Sequence, residues 1–174
     1  MSKKLLQIFS LLFLLLANYQ VFASAEESFE VKNFDSAFRK AYMSVEVEDS
    51  GSVKDLLILG KIYLDGLGAS EQNSNKALSY ISEAIKKGSA EAAFFLAEKY
   101  ETGLTIEKSL ISSLKLYKEA QELGIENLEE KIASLSKDLS NGNINPENCN
   151  DFLEAASKNE QDFYFLAAKC SILQ

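Results

Sequence analysis

A chain of 174 residues with 47% apolar side chains has material for one domain with its own core, and is neither disordered nor a membrane bundle by composition. Its net charge of −8 opposes phosphate backbones and anionic lipid surfaces, which argues against nucleic acid as a partner. The absence of histidine removes the commonest general base, the commonest metal ligand and every imidazole-dependent triad, and no spacing of carboxylates, or of Ser with Lys, takes their place. The sequence therefore offers no catalytic residue, no metal site and no cofactor.

Residues 1–25 begin with Lys3 and Lys4, continue through an apolar run at 5–17, and end in the small-residue patterns Val21-Phe22-Ala23 and Ala23-Ser24-Ala25. That order is a secretory signal peptide, cleaved after Ala23 or after Ala25. The run is too short for a membrane span, which needs about 20 residues. Its loss removes two lysines and moves the net charge from −8 to −10. The expected destination is periplasmic or secreted, where disulfides persist, and the mature chain is expected not to be an integral membrane protein.

Residues 26–52 form an N-terminal section. The stretch 26–33 reads as a polar, extended or frayed lead-in. Phe34, Ala37, Phe38 and Ala41 then keep helical spacing, with Asn33 or Asp35 as cap. Residues 46–51 read as an acidic loop; its Glu46, Glu48 and Ser50 do not make a calcium loop, because the twelfth position holds Leu57 instead of an acid.

From residue 53 the chain says nearly the same thing twice. LGKIYLDGLG and KALSYISEAIKKG in the first copy answer to LAEKYETGLT and SSLKLYKEAQELG in the second. Leu59, Tyr63 and Gly66 recur as Leu96, Tyr100 and Gly103 after 37 residues, and Ala84 and Gly88 recur as Ala120 and Gly124 after 36. A period in the mid-thirties marks a helical-hairpin repeat. Helices are predicted over 53–65, from a cap at Ser74 or Asn75 to 87, over 89–101 and over 107–123.

A further helical stretch covers 126–139 and stops at Asn141-Gly142-Asn143. Beyond it, FYFLAAKC at 163–170 echoes AFFLAEKY at 93–100. The repeat domain is thus expected over 53–174, with units at 53–88, 89–124 and, degenerate, 125–158, and a capping helix at 160–173. The fold class predicted is all-α, a short right-handed solenoid of antiparallel hairpins with about eight helices after the signal peptide. Cys149 starts the penultimate helix and Cys170 ends the last, positions that lie side by side in an antiparallel hairpin. A structural disulfide between them is expected, and its loop of about 21 residues would contribute roughly 3 kcal/mol.

The doubled stretch resembles the Sel1-like repeat, a relative of the tetratricopeptide repeat. The first copy supplies the family's pattern as Leu59, Gly60, Tyr63, Gly66, Ala77, Tyr80, Ala84 and Gly88, with Ile85 where a second Ala is usual. The second supplies Leu96, Tyr100, Gly103, Tyr117, Ala120 and Gly124, and departs at Ala97, Lys99 and Ser113. All of these read as repeat packing: helices of a hairpin cross closely only where one offers little bulk, as at Gly60, Ala77, Ala84, Ala97 and Ala120.

The resemblance implies a non-catalytic scaffold or adaptor for a protein or peptide partner, in the bacterial envelope or at the host interface. An alternative is an accessory factor or degenerate relative of a cell-wall enzyme that meets peptidoglycan or β-lactams. The charged positions of the first helices that lie outside the packing pattern, Lys61, Asp65, Glu98 and Glu101, are the expected partner-binding residues.

Overall fold

A computed structural model describes residues 24–47 and 51–141 of the chain. The leader up to residue 23, the Cys149 and Cys170 pair, the end of the third unit and the capping helix lie outside the described residues. Within them the protein is all-α, without strands: α1 (Ala25–Glu30), α2 (Phe34–Tyr42), α3 (Val53–Asp65), α4 (Ser74–Lys86), α5 (Ala90–Thr102), α6 (Leu110–Glu122) and α7 (Glu129–Asn141), with a single π-helical turn, Met43–Val47, continuing α2.

Short polar side chains decide where these helices begin. Ser24 and Ser52 each form a capping box, with Glu27 and Asp55 three residues on. Asn33, Ser89 and Ser109 cap α2, α5 and α6. The cap of α4 is Asn73, whose Oδ1 accepts from the Lys76 backbone N–H at 3.0 Å. Neither Ser74 nor Asn75 takes that role, because Asn73 alone stands one residue ahead of the first helical turn.

Gly66 and Gly103 end α3 and α5 in the left-handed conformation, at φ 63° and φ 69°, where a β-carbon is disfavoured. Two further expectations change. Residues 25–30 are helical where a frayed lead-in was expected, because the Ser24 box satisfies the first turn. The acidic loop starts later than expected, because α2 runs on through the π turn to Val47.

The chain divides into two compact units, residues 1–84 and 85–174. In the first, Ala25, Ala37, Ala41, Ile58, Leu59 and Ile62 form a core that Phe29, Phe38, Val45, Leu67 and Tyr80 flank. The core holds α1 and α2 against α3, whose apolar stretch from Leu56 to Leu64 is almost wholly buried. The α3–α4 hairpin is antiparallel, with Gln72 beside Leu64 and Gly66 at the turn and Ile81 against Gly60 further along. In the second, Ala93, Ala97, Ile111, Leu114, Tyr117, Ala120, Leu128 and Leu135 join α5, α6 and α7. Both cores draw on the small and aromatic positions of the repeat pattern, as amphipathic helices at 3.6 periodicity require.

Candidate functional site

The recess nearest to a binding site lies in the first unit, between α2 and the loop after α3. Asp35, Phe38, Arg39, Tyr42 and Met43 line one side, Ala69 and Ser70 the other, around an open groove of about 470 Å³. The far wall is brought in by the loop after α3. The Asp35 carboxylate accepts from the Ala69 backbone N–H at 2.8 Å. Gly68 fits there only because it has no β-carbon, which would stand 2.5 Å from Asp35 Oδ1.

The two rings that line the groove, Phe38 and Tyr42, belong to a ladder that continues into the first repeat. Tyr42 stacks on Phe38 at 5.6 Å between centroids, Phe38 meets Tyr63 edge-on at 5.6 Å, and Tyr63 stacks on Tyr80 at 5.9 Å. Offset and edge-on arrangements of this kind add about 0.5–1.5 kcal/mol per pair beyond burial. At its Tyr80 end the ladder is tied to the π turn, which is also held to α3. Tyr80 donates its phenol proton to Glu46 at 2.8 Å, and Ser44 Oγ donates to Asp55 at 3.1 Å. Burial first, and the neighbouring Glu46 carboxylate second, raise the Tyr80 phenol above its ordinary range.

At its outer end the ladder is open to solvent. Tyr42 is 38% exposed, Met43 44% and Val47 59%, a run of apolar surface created where the π turn re-aims the end of α2. Arg39 is exposed between them and makes no ion pair with a described residue. The groove thus offers aromatic surface next to an exposed guanidinium, a pairing suited to an apolar side chain beside a carboxylate.

The second unit holds a tighter cluster around Glu101. Tyr117 Oη donates to Glu101 Oε2 at 2.9 Å and Lys131 Nζ donates to Oε1 at 2.7 Å, while that ammonium lies 5.7 Å from the Tyr117 ring centroid. The Tyr117 phenol, like Tyr80, is raised by burial and then by its carboxylate partner. The cluster ties α5, α6 and α7 together.

The four charged positions expected to meet a partner fall into two places. Lys61 and Asp65 are one turn apart on α3, with Lys61 Nζ 5.8 Å from the Phe29 ring centroid. Glu98 is exposed on α5, and Glu101 is engaged by Tyr117 and Lys131. The α2 groove was not singled out by the sequence; its signal was the Phe38–Tyr42 pair at i, i+4 with Arg39 between, which reads equally as core. Among the described residues no group of three or more His, Cys, Asp or Glu side chains could hold a metal ion, and no helix is long and apolar enough to cross a membrane.

Repeated antiparallel hairpins, closed by small residues and ended by left-handed glycines, define the class: an all-α repeat protein of the tetratricopeptide-like solenoid type. Residues 56–89 and 90–125 each match the Sel1 repeat. The chain thus carries two adjoining Sel1 repeats, a repeat class that generally serves protein–protein interaction. A crystal structure of a Sel1 repeat protein from Oxalobacter formigenes is similar at 21% identity and a TM-score of 0.47, over 84% of this chain and 52% of that one. The present chain thus spans about half the length of that protein. No curated protein matches the chain.

Proposed function

We propose that the protein is an exported, non-catalytic adaptor that holds a protein partner in the envelope or at the host interface. The observation that carries this reading is the α2 groove, where exposed Tyr42 and Met43 stand beside the exposed Arg39 on a wall anchored to the first repeat. Its partner is a protein segment presenting an apolar side chain next to a carboxylate. The leader-like residues 1–23 support export to the periplasm or beyond, and the lack of histidine supports binding over catalysis. Lys61 and Asp65 supply further polar contacts within the first unit, and Glu98 and Glu101 are the candidate contacts of the second.

The test is capture of partners from envelope and host extracts by the mature protein, read by mass spectrometry. Arg39→Glu and Tyr42→Ala should each remove the specifically captured protein, and Lys61→Glu with Glu98→Lys should weaken it. Capture that survives both groove variants would overturn the groove as the docking site. The same destination would oxidise Cys149 and Cys170 to a disulfide, and two free thiols in protein from an oxidising compartment would contradict that.

A further inference from the structure

Export leaves two bonds open to the processing protease. Val21 with Ala23 marks the Ala23–Ser24 bond, and Ala23 with Ala25 marks Ala25–Glu26, so the small-residue pattern favours neither. The folded chain does not treat them alike. Ser24 is the N-cap of α1: its Oγ accepts from the Glu27 backbone N–H at 3.1 Å, and its own N–H donates to Glu27 Oε2 at 3.0 Å. Its carbonyl accepts from the Ser28 backbone N–H at 3.1 Å and from Ser28 Oγ at 2.9 Å.

Ser28 is 4% exposed, and its Oγ accepts a hydrogen bond from Lys40 Nζ at 3.0 Å. The Ser24 carbonyl is therefore the last acceptor in a chain that ties α2 to α1. Ala25, 5% exposed, belongs to the core with Ala37, Ala41, Ile58, Leu59 and Ile62. Hydrolysis after Ala25 would remove all four Ser24 hydrogen bonds, leave Ser28 Oγ only the longer contact to Ser36 Oγ at 3.4 Å as an acceptor, and take Ala25 out of that core. Hydrolysis after Ala23 removes none of them. It also turns the Ser24 N–H into an ammonium facing the Glu27 carboxylate, a charge-assisted version of a bond already made.

We infer that the leader is released at the Ala23–Ser24 bond and that the folded protein begins at Ser24. This rests on the export reading. Water adds across that amide under a leader-peptidase-class endoprotease: the hydroxyl goes to the Ala23 carbonyl carbon, the C–N bond breaks, and the Ser24 nitrogen leaves with the proton. Of two bonds of equal local quality, one yields a chain that keeps its first helix and the other yields a chain without its cap.

The experiment expresses the full chain from Met1 in a bacterial host with an exporting envelope. Soluble protein from the periplasm and medium is then taken for intact mass and N-terminal sequencing. A single species beginning at Ser24 is the expected result. A species beginning at Glu26, or at any other residue, overturns the inference and leaves export standing. A chain that keeps Met1 and stays inside the cell overturns the export reading, and the inference with it.

Discussion

The two Sel1 repeats place the same residue types at the same steps, yet they close their hairpins with different atoms. In the first, Gly60 on α3 lies under Ile81 on α4, where a β-carbon would stand 2.4 Å from Ile81 Cγ1 and 3.4 Å from the Ala77 carbonyl. In the second, the equivalent of Gly60 is Ala97, fully buried with its β-carbon in place, and the equivalent of Ala77 is Ser113, also fully buried. The aromatic positions diverge too. Tyr80 stacks on Tyr63 in the first hairpin, whereas Tyr117 in the second meets Phe94 edge-on at 5.6 Å. The repeat pattern thus specifies that two helices cross closely, and leaves open which of them yields the space.

Substitution at the crossing breaks this comparison most sharply. Gly60→Ala would gain up to about 1 kcal/mol from helix propensity alone. The clash with Ile81, which has no room to retreat, should reverse that sign, and overpacking of this kind costs about 1–3 kcal/mol. A net loss of about 1 kcal/mol in urea unfolding is expected. The reciprocal Ala97→Gly should cost about 1 kcal/mol, through propensity. A Gly60→Ala protein more stable than the parent would show that the first hairpin does not close at this point.

The phenols give the next effect. Tyr80 and Tyr117 each donate to a carboxylate from another element, Glu46 and Glu101, and burial with that carboxylate raises both above the ordinary tyrosine range. The folded protein therefore keeps protons that the unfolded chain releases near pH 10, about the ordinary tyrosine value. Stability from this source is complete below that pH and falls as pH rises above it. Tyr117→Phe should cost about 1 kcal/mol at neutral pH, and Tyr80→Phe less, because Glu46 is exposed where Glu101 is half-buried. The double variant should lose less stability than the parent between neutral and strongly alkaline pH. Equal alkaline losses in the two proteins would contradict the pairing.

Why the crossings were legible and the groove was not follows from period and reach. Gly60, Ala77, Ala84, Ala97 and Ala120 recur at a fixed step, and every one of these alanines is fully buried. Gly66 and Gly103 announced helix ends because few other residues adopt φ near 65° at low cost. The helix 53–65 was read to the residue. The α2 groove has one wall on a helix outside the repeat, and the contact that brings in its other wall, Asp35 to Ala69, joins residues 34 apart in sequence. No local spacing encodes such a contact. The π turn was missed for the same reason: its last acid is held by Tyr80, far along the chain, while its composition reads as a loop.

Ser113 sharpens the comparison in the opposite direction, as a gain. Its hydroxyl is fully buried and finds no hydrogen-bond partner among the described residues, at a step where the first repeat has Ala77. A buried hydroxyl without a partner costs about 1–3 kcal/mol. Ser113→Ala keeps the volume close and raises helix propensity, so the second hairpin should become more stable by about 1 kcal/mol. A neutral or negative result would mean that the hydroxyl is satisfied after all.

The smallest expected effect separates two ion pairs of equal length. Lys54 reaches Glu26 at 2.7 Å and Lys131 reaches Glu101 at 2.7 Å. The first pair is open, with side chains 65% and 50% exposed, whereas the second is 42% and 26% exposed and shares its carboxylate with Tyr117. Exposed pairs contribute about 0–1 kcal/mol, and water and salt screen them. Glu26→Gln should therefore move the unfolding midpoint by no more than about 0.5 kcal/mol. Lys131→Met should cost more, since it strips a donor from Glu101 and a cation from the face of Tyr117. Added salt should erase the first difference and leave most of the second. If salt erased both, the Glu101 cluster would be as solvated as a surface pair, and the tie between α5, α6 and α7 would rest on apolar packing alone.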